Sequence, residues 1–167
     1  MKPCKIPRSI AVGSIFYSYT ACSYDDGTSS VIEHEWHVRS IQKKSTWIDL
    51  AGTSILNSTR KTRFVGMASK VNGLTWVKGA WTKHIPKDHL LRFEFKEQLP
   101  QGVYTTKLQA IKYAIEVFNT DILWYETKLS EINQPSEAKR YSDDLLDLKK
   151  ELKLLKGKLT RLRNSSK

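Results

Sequence analysis

The sequence predicts an α+β protein in which a basic, β-rich region is followed by an antiparallel coiled-coil helical hairpin. Two observations predict this class: strand-like segments fill the first hundred residues, and two heptad seams fill the last third. We therefore expect a small antiparallel β barrel or a curved sheet over residues 1–102 and the hairpin over residues 103–167. A net charge of +11 in 167 residues makes an anionic partner the first functional hypothesis.

The β-rich region divides into segments that each suit a strand. Residues 12–24 are rich in Tyr, Phe, Ile, Thr and Ser, and residues 31–41 alternate between an apolar face and a charged face. Asp25-Asp26-Gly27 predicts a turn after the first of these strands, and Asn72-Gly73 predicts a type I′ hairpin. Further strands are expected at residues 46–50, 63–69, 74–84 and 89–96, with a long loop at residues 52–62.

Two apolar seams predict the helices, which should span residues 105–132 and 136–163. Each seam holds eight apolar positions with spacings that alternate between three and four, as in a coiled coil. Thr105 or Thr106 suits the N-cap of the first helix, and Ser136 suits the N-cap of the second. Because only a short, proline-containing segment joins the seams, we expect the two arms to pack antiparallel.

The positive charge is unevenly distributed along the chain. Residues 39–96 carry a net charge of +9, residues 103–148 carry −3, and residues 149–167 carry +7. An antiparallel hairpin would return the last segment to the start of the first helix, so we expect both basic regions at one end of the molecule. The alternative for the C-terminal cations is a solvated coiled-coil face that offsets the helix dipole.

Basic side chains interleaved with aromatic ones form the candidate nucleic-acid site. Lys and Arg contact phosphate groups, and exposed Trp rings stack on unpaired bases. Trp76 and Trp81 are the candidate base-stacking residues; strand alternation predicts opposite faces for them, and a core position is the alternative for either ring. The candidate phosphate-contacting residues are Lys43, Lys44, Arg60, Lys61, Arg63, Lys70, Lys78, Lys149, Lys153, Lys156, Arg161 and Arg163.

Leu123 and Trp124 lie off the seam of the first helix and are the candidate protein-contact residues. A two-helix hairpin does not need apolar groups at these positions, and large exposed apolar side chains mark interfaces. The partner would be another protein or a second copy of the chain. Docking against the β-rich region is the preferred explanation for the rest of this stripe, Ala110, Tyr113 and Val117.

Enzymes, metal proteins and membrane proteins are not favoured. No Gly-rich phosphate loop, nucleophile elbow or paired-carboxylate pattern occurs, so we expect no catalytic activity and no cofactor. His34 and His37 should point to opposite faces of a strand, which argues against a shared metal. Cys4 and Cys22 are expected to be packing residues, and we expect a cytoplasmic protein because two cysteines cannot form a disulfide-dense scaffold. No apolar run has the length of a membrane span.

These features favour a non-enzymatic binding protein that acts on nucleic acid or on a nucleoprotein complex. The β-rich region and the end of the second helix would supply the cations, and the hairpin would contact a protein. The alternative is a protein-directed inhibitor or adaptor, such as a small regulator encoded by a mobile element. Its basic surface would dock on an acidic groove of a host protein.

Overall fold

The computed structural model describes residues 4–7, 9–48, 58–95, 98–132 and 134–165, without the side chains of residues 44–48 and 58–62. The chain is α+β, and a curled antiparallel half-barrel sheet precedes two C-terminal helices. The elements are β1 (Ile15–Ser23), β2 (Ser29–Ile48), β3 (Ser58–Ser69), β4 (Trp76–Val77), β5 (Ala80–Trp81), β6 (Leu90–Glu94), α1 (Lys107–Glu131) and α2 (Pro135–Asn164). The predicted class is confirmed, and of the two β architectures the curved sheet is the one observed.

The described residues form two compact units. The helical unit comprises residues 17–33 and 102–165, and therefore contains most of β1, the first part of β2 and both helices. The sheet unit comprises residues 4–16 and 34–101, and contains the rest of β2 together with β3 to β6. Grouping by contacts thus places residues 17–33 with the helices, while the independence of the predicted domains 1–102 and 103–167 stays a prediction.

The sheet has the strand order β1-β2-β3-β6. Alternate side chains of its strands form the core of the sheet unit. Trp36 and Val38 of β2 are buried, as are Val65 and Met67 of β3, since every second side chain of a strand points to the same face. The predicted alternation is therefore confirmed at Trp36 and Val38, whereas Ile32 and His34 are only partly buried. The β2–β3 register shifts between Val38 and Ser40, which is the signature of a β-bulge.

Several predicted strand boundaries are wrong. Residues 46–48 continue β2 instead of forming a separate strand, and residues 58–62 of the predicted loop belong to β3. These two stretches pair with each other in register, which explains why a segment rich in Ser and Thr is extended. Three parts of these predictions lie outside the described residues: the end of the predicted strand at 49–50, the start of the predicted loop at 52–57, and residue 96, the last of the predicted strand 89–96.

The turns are partly as predicted. At the predicted turn after β1, the Asp26 carboxylate accepts hydrogen bonds from the Thr28 backbone N–H (2.9 Å) and the Thr28 hydroxyl (2.6 Å). The Asn72-Gly73 hairpin is wrong, because β4 pairs with β5 and not with β3. The two-residue turn lies instead at Lys78-Gly79, where both φ values are positive (51° and 81°), as a type I′ turn requires.

Both predicted helices are observed, with 25 residues in α1 and 30 in α2. Thr106 caps α1 by accepting from the Gln109 backbone N–H at 3.3 Å, which confirms one of the two predicted caps. Ser136 does not cap α2: the helix starts at Pro135, whose fixed φ suits the first helical position. The buried seam residues are Ile111, Phe118, Ile122, Leu152 and Leu155. Within the described residues, neither helix combines the length and the apolar character needed to cross a bilayer.

Candidate nucleic-acid interface

A tryptophan hairpin lies in the sheet unit. The turn at Lys78-Gly79 reverses the chain, so that Trp76 and Trp81 are direct partners across the β4–β5 pair. Their rings meet edge to face with centroids 5.2 Å apart, and both side chains are partly exposed. The expectation that the two rings point to opposite faces is therefore wrong, because residues 74–84 are not one continuous strand.

Two cations lie on this aromatic pair. The Arg39 guanidinium is 4.7 Å from the centroid of the Trp81 ring, and the Lys70 ammonium is 4.8 Å from that of the Trp76 ring. Arg39 occupies the bulge of β2, and a bulge commonly re-aims a side chain. The His37 and Trp81 rings meet edge to face, with centroids 5.4 Å apart. The hairpin is thus a platform that holds positive charge.

The same arrangement occurs twice more in the sheet unit. The Arg92 guanidinium of β6 lies 4.7 Å from the Phe64 centroid, and that of Arg63 lies 4.4 Å from the Phe95 centroid. Among the described residues, these two guanidinium groups and that of Arg39 contact rings and not carboxylates. A ring orders a cation without cancelling its charge, so the positive potential of this surface is retained.

Two adjoining depressions form a groove beside these cations, which we call the Arg39 groove. One has a volume of about 440 Å³ and the other about 250 Å³, and both are lined by Arg39 and Leu90. The larger is also lined by Thr82, Lys83, His84 and Ile85, and the smaller by Ser40, Gly66, Met67, Leu91 and Arg92. The groove therefore combines cationic walls with a partly apolar floor.

His34 and His37 lie on opposite faces of β2, as predicted. The His34 ring stacks on Trp36, and its Nδ1 lies 3.1 Å from the Ser69 hydroxyl. His37 instead contacts the Glu35 carboxylate at 2.6 Å. Burial lowers the pKa of His34, and the neighbouring His89 lowers it further, so this partly buried ring is neutral at pH 7.

The helical unit contains a different type of charged cluster, centred on Glu33. Its carboxylate accepts a hydrogen bond from the Tyr19 hydroxyl (2.7 Å) and ion-pairs with Lys107 of α1 and, at 3.2 Å, with Lys158 of α2. Burial by itself would raise the pKa of Glu33, but the hydrogen bonds from Lys107, Tyr19 and Lys158 outweigh it and hold the pKa below its ordinary value. This cluster joins β2 to the start of α1 and the end of α2.

A second basic groove lies along α2. It has a volume of about 420 Å³ and is lined by Ser29, Lys150, Lys153, Leu154, Gly157 and Arg161. Lys150 is already paired with Asp147 at 2.9 Å, which leaves Lys153 and Arg161 as its main cations. Gly157 exposes helix backbone there, since a Cβ at this position would meet nothing within 4 Å.

The structure places the predicted site residues in three settings. Lys43 and Arg63 are register partners on β2 and β3, and Lys70 lies at the Trp76–Trp81 pair, while Lys78 occupies the turn. In α2, Lys153 and Arg161 share a groove, whereas Lys149 pairs with Glu126 at 2.8 Å. Lys156 and Arg163 are exposed, and the side chains of Lys44, Arg60 and Lys61 lie outside the described residues.

The sequence reasoning missed four residues of the Arg39 groove: Arg39, Lys83, His84 and Arg92. For Arg39 a signal existed, because the alternation of residues 31–41 already placed it on the charged face. For Arg92 the β3–β6 pairing was needed, which places it opposite Gly66. The position of Lys83 was concealed because residues 74–84 were assigned to one strand, whereas β5 ends at Trp81. The role of Glu33 as an acceptor for two helices was also missed.

The predicted protein-contact residues are exposed side chains of α1. Leu123 is 64% exposed and Trp124 is 49% exposed. The Trp124 ring lies against Tyr125 (5.0 Å between centroids) and Tyr141 of α2 (6.1 Å), so its orientation is fixed although half of it faces solvent.

Among the described residues, no group of three or more His, Cys, Asp or Glu side chains is arranged to hold a metal ion. Comparisons with protein-family models, with curated proteins and with solved structures give no match to this chain.

Proposed function

We propose that this chain is a non-enzymatic binding protein that acts on nucleic acid or on a nucleoprotein complex, with the sheet unit as its main binding unit. Residues 3–16 and 34–101 hold 14 Lys and Arg and five Asp and Glu, a net charge of +9 out of the total +11. A polyanion is the partner that such a surface attracts most strongly.

The observation that carries this proposal is the set of cations held on aromatic rings along the Arg39 groove. Arg39 and Arg92 line the groove, and each lies within 5 Å of a ring centroid. Lys70 lies outside the groove, on the Trp76 ring and 4.0 Å from the Glu35 carboxylate. Ordering these side chains before binding reduces the entropy lost when they contact a ligand. The groove is therefore pre-organised for a negatively charged partner.

The helical unit has an auxiliary role in this proposal. Lys153, Lys156, Arg161 and Arg163 of α2 supply further cations, and α1 and α2 form an antiparallel coiled-coil hairpin that serves as a protein-contact arm. Contacts such as Lys149–Glu126 and Tyr125–Tyr141, which join the second half of α1 to the first half of α2, support that arrangement.

The test is a binding titration with fluorescently labelled single-stranded DNA and RNA at several salt concentrations. Binding should release counterions, so the logarithm of the association constant should fall linearly with the logarithm of salt concentration, by about 0.7 per phosphate contact. An association that is absent at low salt, or that does not change with salt, would contradict the proposal.

A second candidate function is that of a protein-directed inhibitor or adaptor, and the exposure of Leu123 and Trp124 favours it. Affinity capture of the full-length chain, repeated after nuclease treatment, separates the two functions. Retention of a specific protein partner that is lost with Trp124→Ala supports the adaptor function. Loss of every partner on nuclease treatment supports the nucleic-acid function.

A further inference from the structure

The Arg39 groove has the chemistry of a site for phosphate groups in particular. The guanidinium of Arg39 lies over Trp81 and that of Arg92 lies over Phe64, and both side chains line the smaller depression. The N–H donors of a guanidinium lie in its plane. An aromatic ring contacts a guanidinium group without being a conventional hydrogen-bond acceptor, and among the described residues neither group pairs with a carboxylate. The N–H donors of each Arg therefore stay available for a phosphate oxygen.

The aromatic rings around the groove are already engaged by protein groups. Trp81 contacts Arg39 on a ring face and meets both Trp76 and His37 in edge contacts. Trp76 carries Lys70, and Phe64 carries Arg92. A base that stacked on one of these faces would have to displace a cation. The ring faces that carry cations are therefore occupied, and on those faces the rings position the cations.

Gly66 keeps the smaller depression open between the two guanidinium groups. It pairs with Ser40 on one side and Arg92 on the other. A Cβ at position 66 would lie 2.7 Å from the Ser40 hydroxyl oxygen, so any larger residue would push into Ser40 or fill the depression. The depression thus presents two guanidinium groups and one hydroxyl group, and all three are donors for phosphate oxygens.

We infer that the Arg39 groove binds the phosphodiester backbone and does not read the bases, with Arg39 and Arg92 as the phosphate-contacting residues and Trp81 and Phe64 as their positioning residues. This inference rests on the proposed function and specifies its ligand. It assigns Trp76 and Trp81 a role different from the base stacking predicted from the sequence. Binding should accordingly be independent of base identity.

The decisive experiment compares two oligonucleotides of equal length and charge, one of thymidines and one of abasic sugar phosphates. Backbone recognition predicts dissociation constants for the full-length chain that agree within about threefold, because both ligands offer the same phosphates. An abasic ligand that binds more than about tenfold more weakly would overturn the inference, since bases would then contribute stacking or hydrogen bonds. Polyglutamate of matched charge serves as a third ligand, and affinity equal to that of the abasic strand would also overturn it.

Variants of Arg39 test the geometry of the contact. Arg39→Ala should weaken binding of both oligonucleotides about tenfold and lower the salt slope by about 0.7. Arg39→Lys retains the charge but loses the planar donor edge, so it should restore the slope and only part of the affinity. Arg140→Ala, which removes an exposed guanidinium from α2, is the matched control and should leave both quantities unchanged.

Trp81→Leu tests positioning, because it removes the ring under Arg39 without removing a charge. It should weaken both oligonucleotides equally, by about threefold to fivefold, with an unchanged salt slope. A selective loss for the thymidine strand would contradict the inference, because it would mean that Trp81 stacks on bases. Circular dichroism of the variant verifies that the sheet is intact. If the wild-type chain binds none of the oligonucleotides, the proposed function fails; if it binds only those with bases, this inference alone fails.

Discussion

The two units hold their cations in different ways. In the helical unit, lysines contact carboxylates: Lys107 and Lys158 converge on Glu33, and Lys149 contacts Glu126. In the sheet unit, Arg39, Arg63 and Arg92 contact aromatic rings. The contrast concerns the three arginines, since Lys107 also lies 5.2 Å from the Tyr17 centroid and Lys70 of the sheet unit lies 4.0 Å from the Glu35 carboxylate. Both arrangements order a long side chain, but only contact with a carboxylate neutralises it.

This difference separates structural charges from charges that remain available to a partner. The helical unit holds 14 basic and 12 acidic residues, so its net charge is only +2. The sheet unit holds 14 basic residues but only five acidic ones, so it carries the remaining charge of +9. The ion pairs stabilise the contacts of the two helices with β2, whereas the cation–π pairs leave the charge of their cations on the surface.

The largest expected effect is on oligonucleotide affinity. If this effect is not observed, the proposed difference between the cations of the two units is wrong. Arg39→Ala combined with Arg92→Ala should weaken oligonucleotide binding by about 100-fold, since each lost charge-assisted contact costs about tenfold. The matched double variant, Lys128→Ala with Arg140→Ala, removes two cations from the helical unit and should change affinity by less than about threefold. Equal losses in the two double variants, measured by fluorescence anisotropy, would show that total charge and not its placement determines binding.

The next effect is on stability and concerns the helical unit. Glu33→Gln should lower the free energy of unfolding by about 2 kcal/mol, because Lys107, Lys158 and Tyr19 lose an ionised acceptor. Glu126→Gln removes an exposed pair with Lys149 and should cost less than about 0.5 kcal/mol. Urea titration followed by circular dichroism measures both. A cost for Glu33→Gln no larger than that of the control would mean that the cluster is structurally dispensable.

A smaller effect is expected from acidification. The folded chain lowers the pKa of His34 and of Glu33, so the unfolded chain binds these protons more readily. The stability from each group is present above its ordinary pKa and is lost as the pH falls through the folded value. Unfolding free energy should therefore decrease first below about pH 6.5, owing to His34, and again below about pH 4.5, owing to Glu33.

Two variants separate these steps. His34→Gln should abolish the first decrease and leave the second, whereas His84→Gln, at an exposed position, should leave both. Stability that is constant between pH 7 and pH 5 in the wild-type chain would contradict the assignment to His34.

The smallest effect concerns the exposed side chains of α1. Trp124→Ala should change the free energy of unfolding by less than about 1 kcal/mol and leave oligonucleotide affinity unchanged, because half of the ring faces solvent. If a second copy of the chain covers Leu123 and Trp124, sedimentation velocity should show a dimer that dissociates in this variant. A monomer at all concentrations would exclude the homodimer and leave another protein as the partner.

The helices were predictable because their signal is local. A seam of alternating three and four spacings predicts the helices, and it anticipated the burial of Ile111, Phe118 and Leu155. It did not specify the whole buried face, because Leu108 of the seam is exposed and Ala114 outside the seam is buried. The caps were less predictable: Thr106 has the expected role, but Pro135 displaced Ser136 because a proline also suits the first turn.

The candidate site was less predictable because it depends on pairing between distant segments. A single bulge re-aims Arg39, and a Lys-Gly turn, instead of the more common Asn-Gly, brings Trp76 and Trp81 together. Neither feature has a reliable local pattern, so Trp76 and Trp81 were predicted without their partners, and Arg39 was missed. The convergence of the two basic regions at one end of the molecule stays a prediction.

Amide hydrogen exchange of the full-length chain, with and without a saturating thymidine oligonucleotide at low salt, tests the central claim most directly. The account predicts that the strongest protection on binding falls on the parts of β2, β3 and β6 that border the Arg39 groove, while α1 exchanges as in the free chain. Protection concentrated in α1, with β2 and β6 unchanged, would show that the cations held on aromatic rings do not form the binding surface.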